Sequence, residues 1–266
     1  MTASAFSEPF TPRGIAAFAR AGFRRLLVAQ FMFAFLAAIA VAYFLHRACF
    51  PAVETAIENL PLTGQIQSGR LVWSGGAQTL ADGPFLAFDV DPDHSGQWRS
   101  TTADFQVEFG RDDVRVISLF GYADILYPSG ESMAFNQPQL DPLWKAWRAE
   151  ILFLIVAAAI VILPAIWWVL ALIYFLPVWL IGFLANRDMN ATVSLKLSCS
   201  ALLPGALLMT VAIILYALGV LNLVSFCFVF AAHFILQLLY LLFGMLFFPR
   251  ASAAGPKGNP FTTAKQ

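Results

Sequence analysis

Residues 151–184 read ILFLIVAAAIVILPAIWWVLALIYFLPVWLIGFL and contain no Asp, Glu, Lys or Arg. About 20 apolar helical residues cross the ~30 Å hydrocarbon layer of a bilayer, so this run is long enough to span one. Three further stretches also lack these charged residues: 26–45, 198–220 and 223–248. All 32 acidic and basic residues lie outside the four stretches. This segregation predicts an α-helical integral membrane protein with about four transmembrane helices.

The composition excludes several classes of protein. The chain is 59% hydrophobic and 12% charged, whereas soluble domains carry about 25% charged residues. Its 16 basic and 16 acidic residues cancel, so we expect no nucleic-acid partner. Three cysteines with no zinc-type spacing predict neither a disulfide framework nor a metal centre, and we expect no cofactor.

The charges that flank the apolar stretches predict the orientation. Basic residues lie before the first stretch and after the last one: Arg13, Arg20, Arg24, Arg25, Arg250, Lys257 and Lys265. The positive-inside rule therefore places both termini in the cytoplasm. Because His46 and Arg47 stand where a cleavage site needs small residues, the first stretch is predicted to be an uncleaved signal anchor.

The sequence then divides into five predicted segments. They are a cytoplasmic N-terminal segment with a short amphipathic helix (1–25), transmembrane helix 1 (26–46), an inserted extracytoplasmic β-rich domain (47–148), transmembrane helices 2–4 (149–248) and a disordered cytoplasmic tail (249–266). In the first segment, Thr11-Pro12 predicts a helix start. Arg13 and Arg20 lie opposite Ile15 and Phe18, which predicts that this helix lies on the inner leaflet.

The longest apolar run allows two interpretations. One is a single span from about Trp147 to Trp168, kinked near Pro164 and followed by an interfacial extension that breaks near Pro177. The other is a hairpin of two short spans, which would place the basic tail outside the cell.

Periodicity changes within the inserted domain. Residues 50–60 have helical spacing and predict a short helix at the membrane surface. Alternating residues and turn signals then predict strands at 65–73, 85–90, 105–109 and 114–127. The best hairpin joins 105–109 to 114–119 through residues 110–113. A small antiparallel β domain is predicted.

Three segments of the inserted domain lie between the signal anchor and the polytopic helices and suggest a family. They are IENLPLTGQIQSGRLVW (57–73), AFDVDP (87–92) and VEFGRDDVRV (107–116). In this layout the chain resembles an uncharacterised family of bacterial membrane proteins, some of whose members are associated with maltodextrin utilisation. The resemblance implies the architecture and no enzymatic activity.

Two groups of polar residues are candidate sites. Asp89, Asp91 and Asp93 alternate as in a calcium loop, but His94 and Ser100 stand where that loop needs Gly and Glu. An acidic turn is therefore favoured over a calcium site.

The second group is an intramembrane polar face. His233, Gln237 and Tyr240 fall at i, i+4 and i+7 in the last apolar stretch and share one helix face. A titrating histidine at that depth could serve a proton or ion path. Interhelical hydrogen bonding is the favoured interpretation.

Common enzyme motifs are absent: the sequence contains no HExxH, GxSxG, Walker A or GxGxxG pattern. We therefore expect a non-enzymatic inner-membrane protein whose β domain docks onto other membrane or envelope proteins. The alternative is a transport component with a polar path along His233, Gln237 and Tyr240.

Overall fold

The computed structural model describes residues 11–96, 100 and 102–250. Its helices are α1 (Pro12–Arg20), α2 (Phe23–Phe44), a π-helical turn (Leu45–Cys49), α3 (Phe50–Glu58), α4 (Gln137–Leu184), α5 (Ala191–Ala217) and α6 (Leu223–Leu246). Among the described residues, four helical stretches are long and apolar enough to cross a membrane: Phe23–Glu58, Gln137–Leu184, Ala191–Ala217 and Leu223–Leu246. The predicted set of four long apolar helices with a small β region is confirmed.

The first long helix does not end where the sequence predicts. The short helix predicted at 50–60 is α3, and it continues from α2 through the π turn instead of forming a separate element. Pro51 is the second residue after that turn. A proline lacks the N–H for an i→i−4 bond and crowds the preceding turn, and a single π turn relieves both problems without breaking the helix.

The second long helix also differs from the sequence prediction. Residues 137–184 form one continuous helix of 48 residues, about 72 Å long. The predicted break near Pro177 is wrong, and so is the alternative hairpin of two short spans. A proline removes one helical hydrogen bond, whereas ending the helix among apolar residues would leave several backbone groups unsatisfied.

Contacts divide the chain into two compact units, and several helices continue from one unit into the other. The helical unit comprises Met1–Ala37, Ala159–Ala212 and Cys227–Gln266. Helix α5 is the most buried: 67% of its most apolar 18-residue stretch is buried, against 6% in α4. Small residues of two helices lie in its core, namely Ala34 of α2 and Ala201 of α5.

Helix α1 has the predicted cap but a different partner. The Thr11 side chain accepts a hydrogen bond from the Gly14 N–H at 3.0 Å. The face that includes Ile15 packs against Leu197 and Leu241 in the core of the helical unit. The apolar face of α1 is therefore buried in protein, and the placement of this helix at the inner leaflet stays a prediction.

The second unit comprises Ala38–Ala158 and Ile213–Phe226. It contains two sheets with the strands β1 (Gln65–Gln67), β2 (Arg70–Val72), β3 (Gln78–Asp82), β4 (Leu86–Val90), β5 (Phe105–Phe109), β6 (Asp113–Ser118), β7 (Gly121–Leu126) and β8 (Met133–Ala134). The strand orders are β2-β1-β8 and β3-β4-β5-β6-β7. Helix α3 packs on β3 and β4, and we call the residues from α3 to β8 the β domain.

The best predicted hairpin is confirmed, with Phe109 paired to Val114 across the turn. Three details were predicted wrongly. The sheet is mixed, because β4 and β5 run parallel. The single strands predicted at 65–73 and 114–127 are each a hairpin. Ser68 and Gly69 reverse the first one with φ of 51° and 77°, the values that a tight hairpin turn requires.

Candidate docking surface of the β domain

The three acidic residues of the candidate calcium loop have separate partners. Asp89 is buried and accepts a 2.6 Å hydrogen bond from Gln106. Asp91 accepts bonds from the Ser95 hydroxyl and the Gly96 N–H. Asp93 is exposed and pairs with Arg111 at 2.9 Å. Within the described part of the chain, no group of three or more His, Cys, Asp or Glu side chains is placed to hold a metal ion.

Burial has a clear electrostatic effect on Asp89. Removal from water is the largest effect and raises the pKa of this carboxyl, whereas hydrogen bonds from Thr79 and Gln106 lower it. The net pKa is raised. Asp89 thus lies inside the sheet as a structural group, which favours the acidic-turn interpretation.

The turn that follows β4 is held by His94, which the sequence analysis did not single out as a site residue. Its Nδ1 bonds the Glu108 carboxylate and its Nε2 bonds Asp113 Oδ1 at 2.7 Å. A ring that donates from both nitrogens is protonated. Burial alone lowers the pKa of His94, but the two carboxylate bonds outweigh it, and the net pKa is raised. The arrangement is a charged clamp between the turn and strands β5 and β6.

This clamp predicts a pH dependence. Because the folded pKa of His94 lies above its ordinary value of 6.5, its stabilising contribution is complete below about pH 6.5 and is lost as the pH rises through the folded pKa. We expect thermal unfolding of the detergent-solubilised chain to show this loss in the wild type and not in His94→Gln. Equal pH profiles for the two proteins would contradict the clamp.

The predicted intramembrane face is partly assembled in α6. His233 and Gln237 are buried, whereas Tyr240 is half-buried. His233 Nδ1 bonds the Phe230 carbonyl of its own helix. The Gln237 side chain lies directly over Gly205 of α5, and its carbonyl oxygen makes no hydrogen bond. The face therefore packs against α5.

Four hydroxyl groups of α5 are bonded locally. Those of Ser194, Ser198, Ser200 and Thr210 each donate to the carbonyl four residues earlier in the chain. Gln30 of α2 is fully buried beside the Cys199 thiol. Gln30 has no sequence signal of its own, because a single amide in an apolar run forms no recognisable pattern.

Strand β7 is the most exposed element of the β domain. All six of its residues are exposed, and it forms one edge of the five-stranded sheet. Tyr122, Ile125 and Leu126 expose 67%, 59% and 76% of their surfaces. Exposed apolar edge strands are uncommon in native proteins, which usually blunt them, because they pair with other chains.

The register shows which backbone groups of β7 are free for such pairing. The Tyr127 N–H donates to the Asp112 carbonyl, and Asp113 pairs with Leu126 in the next position. Hydrogen-bonded pairs alternate along an antiparallel ladder. The N–H and C=O groups of Tyr122, Asp124 and Leu126 therefore point away from β6, toward the side where no described strand lies.

Two residues that the sequence analysis placed inside one strand form the tip of this hairpin. Leu119 and Phe120 make a two-residue turn between Ser118 and Gly121. Turns of this length usually contain Gly, Asn or Asp. Two large apolar residues give no turn signal, so the turn could not be predicted from them. Gly121, with φ of 123°, is the one signal that could have located it.

Comparisons with known proteins add no relationship: no family model, curated protein or solved structure matches the chain.

Proposed function

We propose that the chain is a non-enzymatic integral protein of the bacterial cytoplasmic membrane whose β domain lies outside the cytoplasm and docks another membrane or envelope protein. The partner contributes an extended segment that adds to the free edge of β7. The observation that carries the proposal is this exposed apolar edge, with its outward-pointing backbone groups.

Helix α4 supports the membrane placement. Large apolar side chains are exposed along its length, including Phe153, Val161, Leu172 and Phe183. A helix that is apolar on every side and little buried in protein is stable in lipid and not in water.

Cations of the helical unit support the orientation. Arg187, in the turn between α4 and α5, donates to the carbonyls of Leu246 and Phe248 at the C-terminal end of α6. Lys196 donates to the Ala21 carbonyl between α1 and α2 at 2.8 Å. Arg20 lies over the Phe248 ring, so basic groups lie at the end of α6, as the positive-inside rule expects of a cytoplasmic end.

An edge-blocking variant tests the docking proposal. We expect Asp124→Pro to remove an outward N–H without removing a bond to β6, whereas Asp124→Ala keeps that N–H and loses only the 2.7 Å pair with Arg115. With p-benzoylphenylalanine in place of Leu126, intact cells should yield one discrete photo-adduct. The adduct should persist in Asp124→Ala and be lost in Asp124→Pro.

A second photoprobe supplies the control. Leu62, which is 73% exposed and lies outside the sheet edge, should not give the same adduct. An adduct that survives the proline, or that forms equally from position 62, would contradict strand addition. An adduct with a second copy of the chain would show that the β7 edge mediates self-association, and it would contradict docking of an envelope protein.

A transport component remains the alternative function, supported by the burial of His233 and Gln237. We rank it second because the hydroxyls of Ser198, Ser200 and Thr210 bond carbonyls of their own helix. Transporters also commonly place charged residues along their paths.

A further inference from the structure

The tip of the β6–β7 hairpin is apolar beyond what its turn requires. Leu119 and Phe120 are 64% and 73% exposed, and neighbouring Tyr122 is 67% exposed. From Val116 to Ala123 the hairpin carries no charged residue. The first charges, Arg115 and Asp124, pair across the two strands, three residue rows or about 10 Å from the tip.

The register places this tip at a defined end of the sheet. Leu86 pairs with Phe105, and Phe105 pairs with Ser118. The residues that begin β4 and β5 and the residue that ends β6 therefore form one row across the sheet. Leu119 and Phe120 follow directly after that row.

The same row is fastened to the ends of two long apolar helices. The Phe85 ring, next to Leu86, packs on Phe44 at 5.6 Å and on Tyr216 at 5.0 Å. Asp104, next to Phe105, accepts a hydrogen bond from the Tyr216 hydroxyl. Phe44 is the last residue of α2, and Tyr216 is the penultimate residue of α5. The hairpin tip thus lies at the end of the sheet where these helices end.

The hairpin tip differs in charge from the opposite end of the sheet. That end carries the ionic groups Asp93, His94, Arg111, Asp112 and Asp113. At the tip end, the carboxylates of Asp82 and Asp104 accept hydrogen bonds from Ser100 and Tyr216. Apolar segments bury themselves about 5–10 Å into the boundary between headgroups and acyl chains, and aromatic residues favour that depth. An uncharged tip about 10 Å deep, bounded by an ion pair, matches this layer.

We propose that Leu119 and Phe120 insert into the outer leaflet of the bilayer beside the transmembrane helices, so that the β domain has a second lipid contact. This inference rests on the membrane placement proposed above. We infer that lipid contacts the tip, because the tip lies at the same end of the sheet as the helix ends. Inserting the tip would leave the free edge of β7 beginning at the membrane surface.

Spin-label accessibility in reconstituted full-length protein tests the insertion. Nitroxides are attached singly at Phe120→Cys, Leu126→Cys and Ile235→Cys, after Cys49, Cys199 and Cys227 are replaced and the background is shown to fold. The vesicles contain phosphatidylcholine and phosphatidylglycerol. Leu126 is the matched control, because it is equally exposed and lies at the other end of β7.

We expect the ratio of oxygen to nickel-chelate accessibility to be several-fold higher at 120 than at 126, and high at 235. A water-like ratio at 120 with a lipid-like ratio at 235 would overturn the insertion and leave the membrane placement standing. A water-like ratio at 235 would overturn the membrane placement itself. A label at 120 that neither reagent reaches would overturn lipid as the occupant, because a protein then covers the tip.

Discussion

Replacing Tyr216 by Ala should lower the free energy of unfolding by about 3–5 kcal/mol, the range for deleting a large buried aromatic side chain. Tyr216 is 6% exposed. Its ring packs on Phe44, Phe85 and Phe226 at centroid distances of 5.4, 5.0 and 5.0 Å. These contacts join α2, the segment before β4, and α6 to the end of α5, so the cavity would lie where four segments meet.

Tyr216→Phe is the matched control. It keeps the ring and removes only the hydroxyl that donates to Asp104, a loss of about 1–2 kcal/mol. Denaturation of the full chain by SDS in mixed micelles gives both values. If the Ala and Phe variants unfold alike, the ring packing contributes no stability and the assigned role of Tyr216 is wrong.

The second large effect is expected at Gly205, where α5 meets α6. A Cβ at this position would lie 2.5 Å from Gln237 Nε2, 2.7 Å from its Cγ and 2.9 Å from its Cδ. The whole Gln237 side chain would have to move in a packed interior. Gly205→Leu should therefore destabilise the helical unit by about 1–3 kcal/mol, measured by the same titration.

Two further variants test whether overpacking causes the loss of stability in Gly205→Leu. Gly22→Leu adds the same side chain where a Cβ meets no atom within 4 Å, and it should have little effect. Adding Gln237→Ala to Gly205→Leu removes the obstructing side chain and should restore much of the stability. Without that restoration, the contact between Gly205 and Gln237 would not explain the loss.

Local sequence signals predicted the elements that depend on local chemistry. The absence of charge located the four long helices, because a single charge in lipid is costly. Thr11 and Pro12 predicted the start of α1. The polar run Gly110-Arg111-Asp112-Asp113 predicted the turn of the β5–β6 hairpin.

The remainder depends on contacts between distant residues. The parallel pairing of β4 with β5 is set by the path of the chain between them, which has no periodicity to read. Strand β3 is rich in polar residues and has little strand signal. The clamp at His94 needs Glu108 and Asp113, which come close only when β5 and β6 have paired. The edge position of β7 could not be predicted, because the apolar turn before it gave no sign that a new strand begins.

The π-helical turn at Leu45–Cys49 sets the angular phase between two surfaces. Each residue advances an α-helix by about 100°, and a π turn holds one residue more than the regular winding. The buried residues Ala38 and Ala40 before the turn, and the residues of α3 that pack on β3 and β4 after it, are therefore offset from a single straight line. One added residue thus changes the direction in which the continuing helix presents its contacts to the sheet.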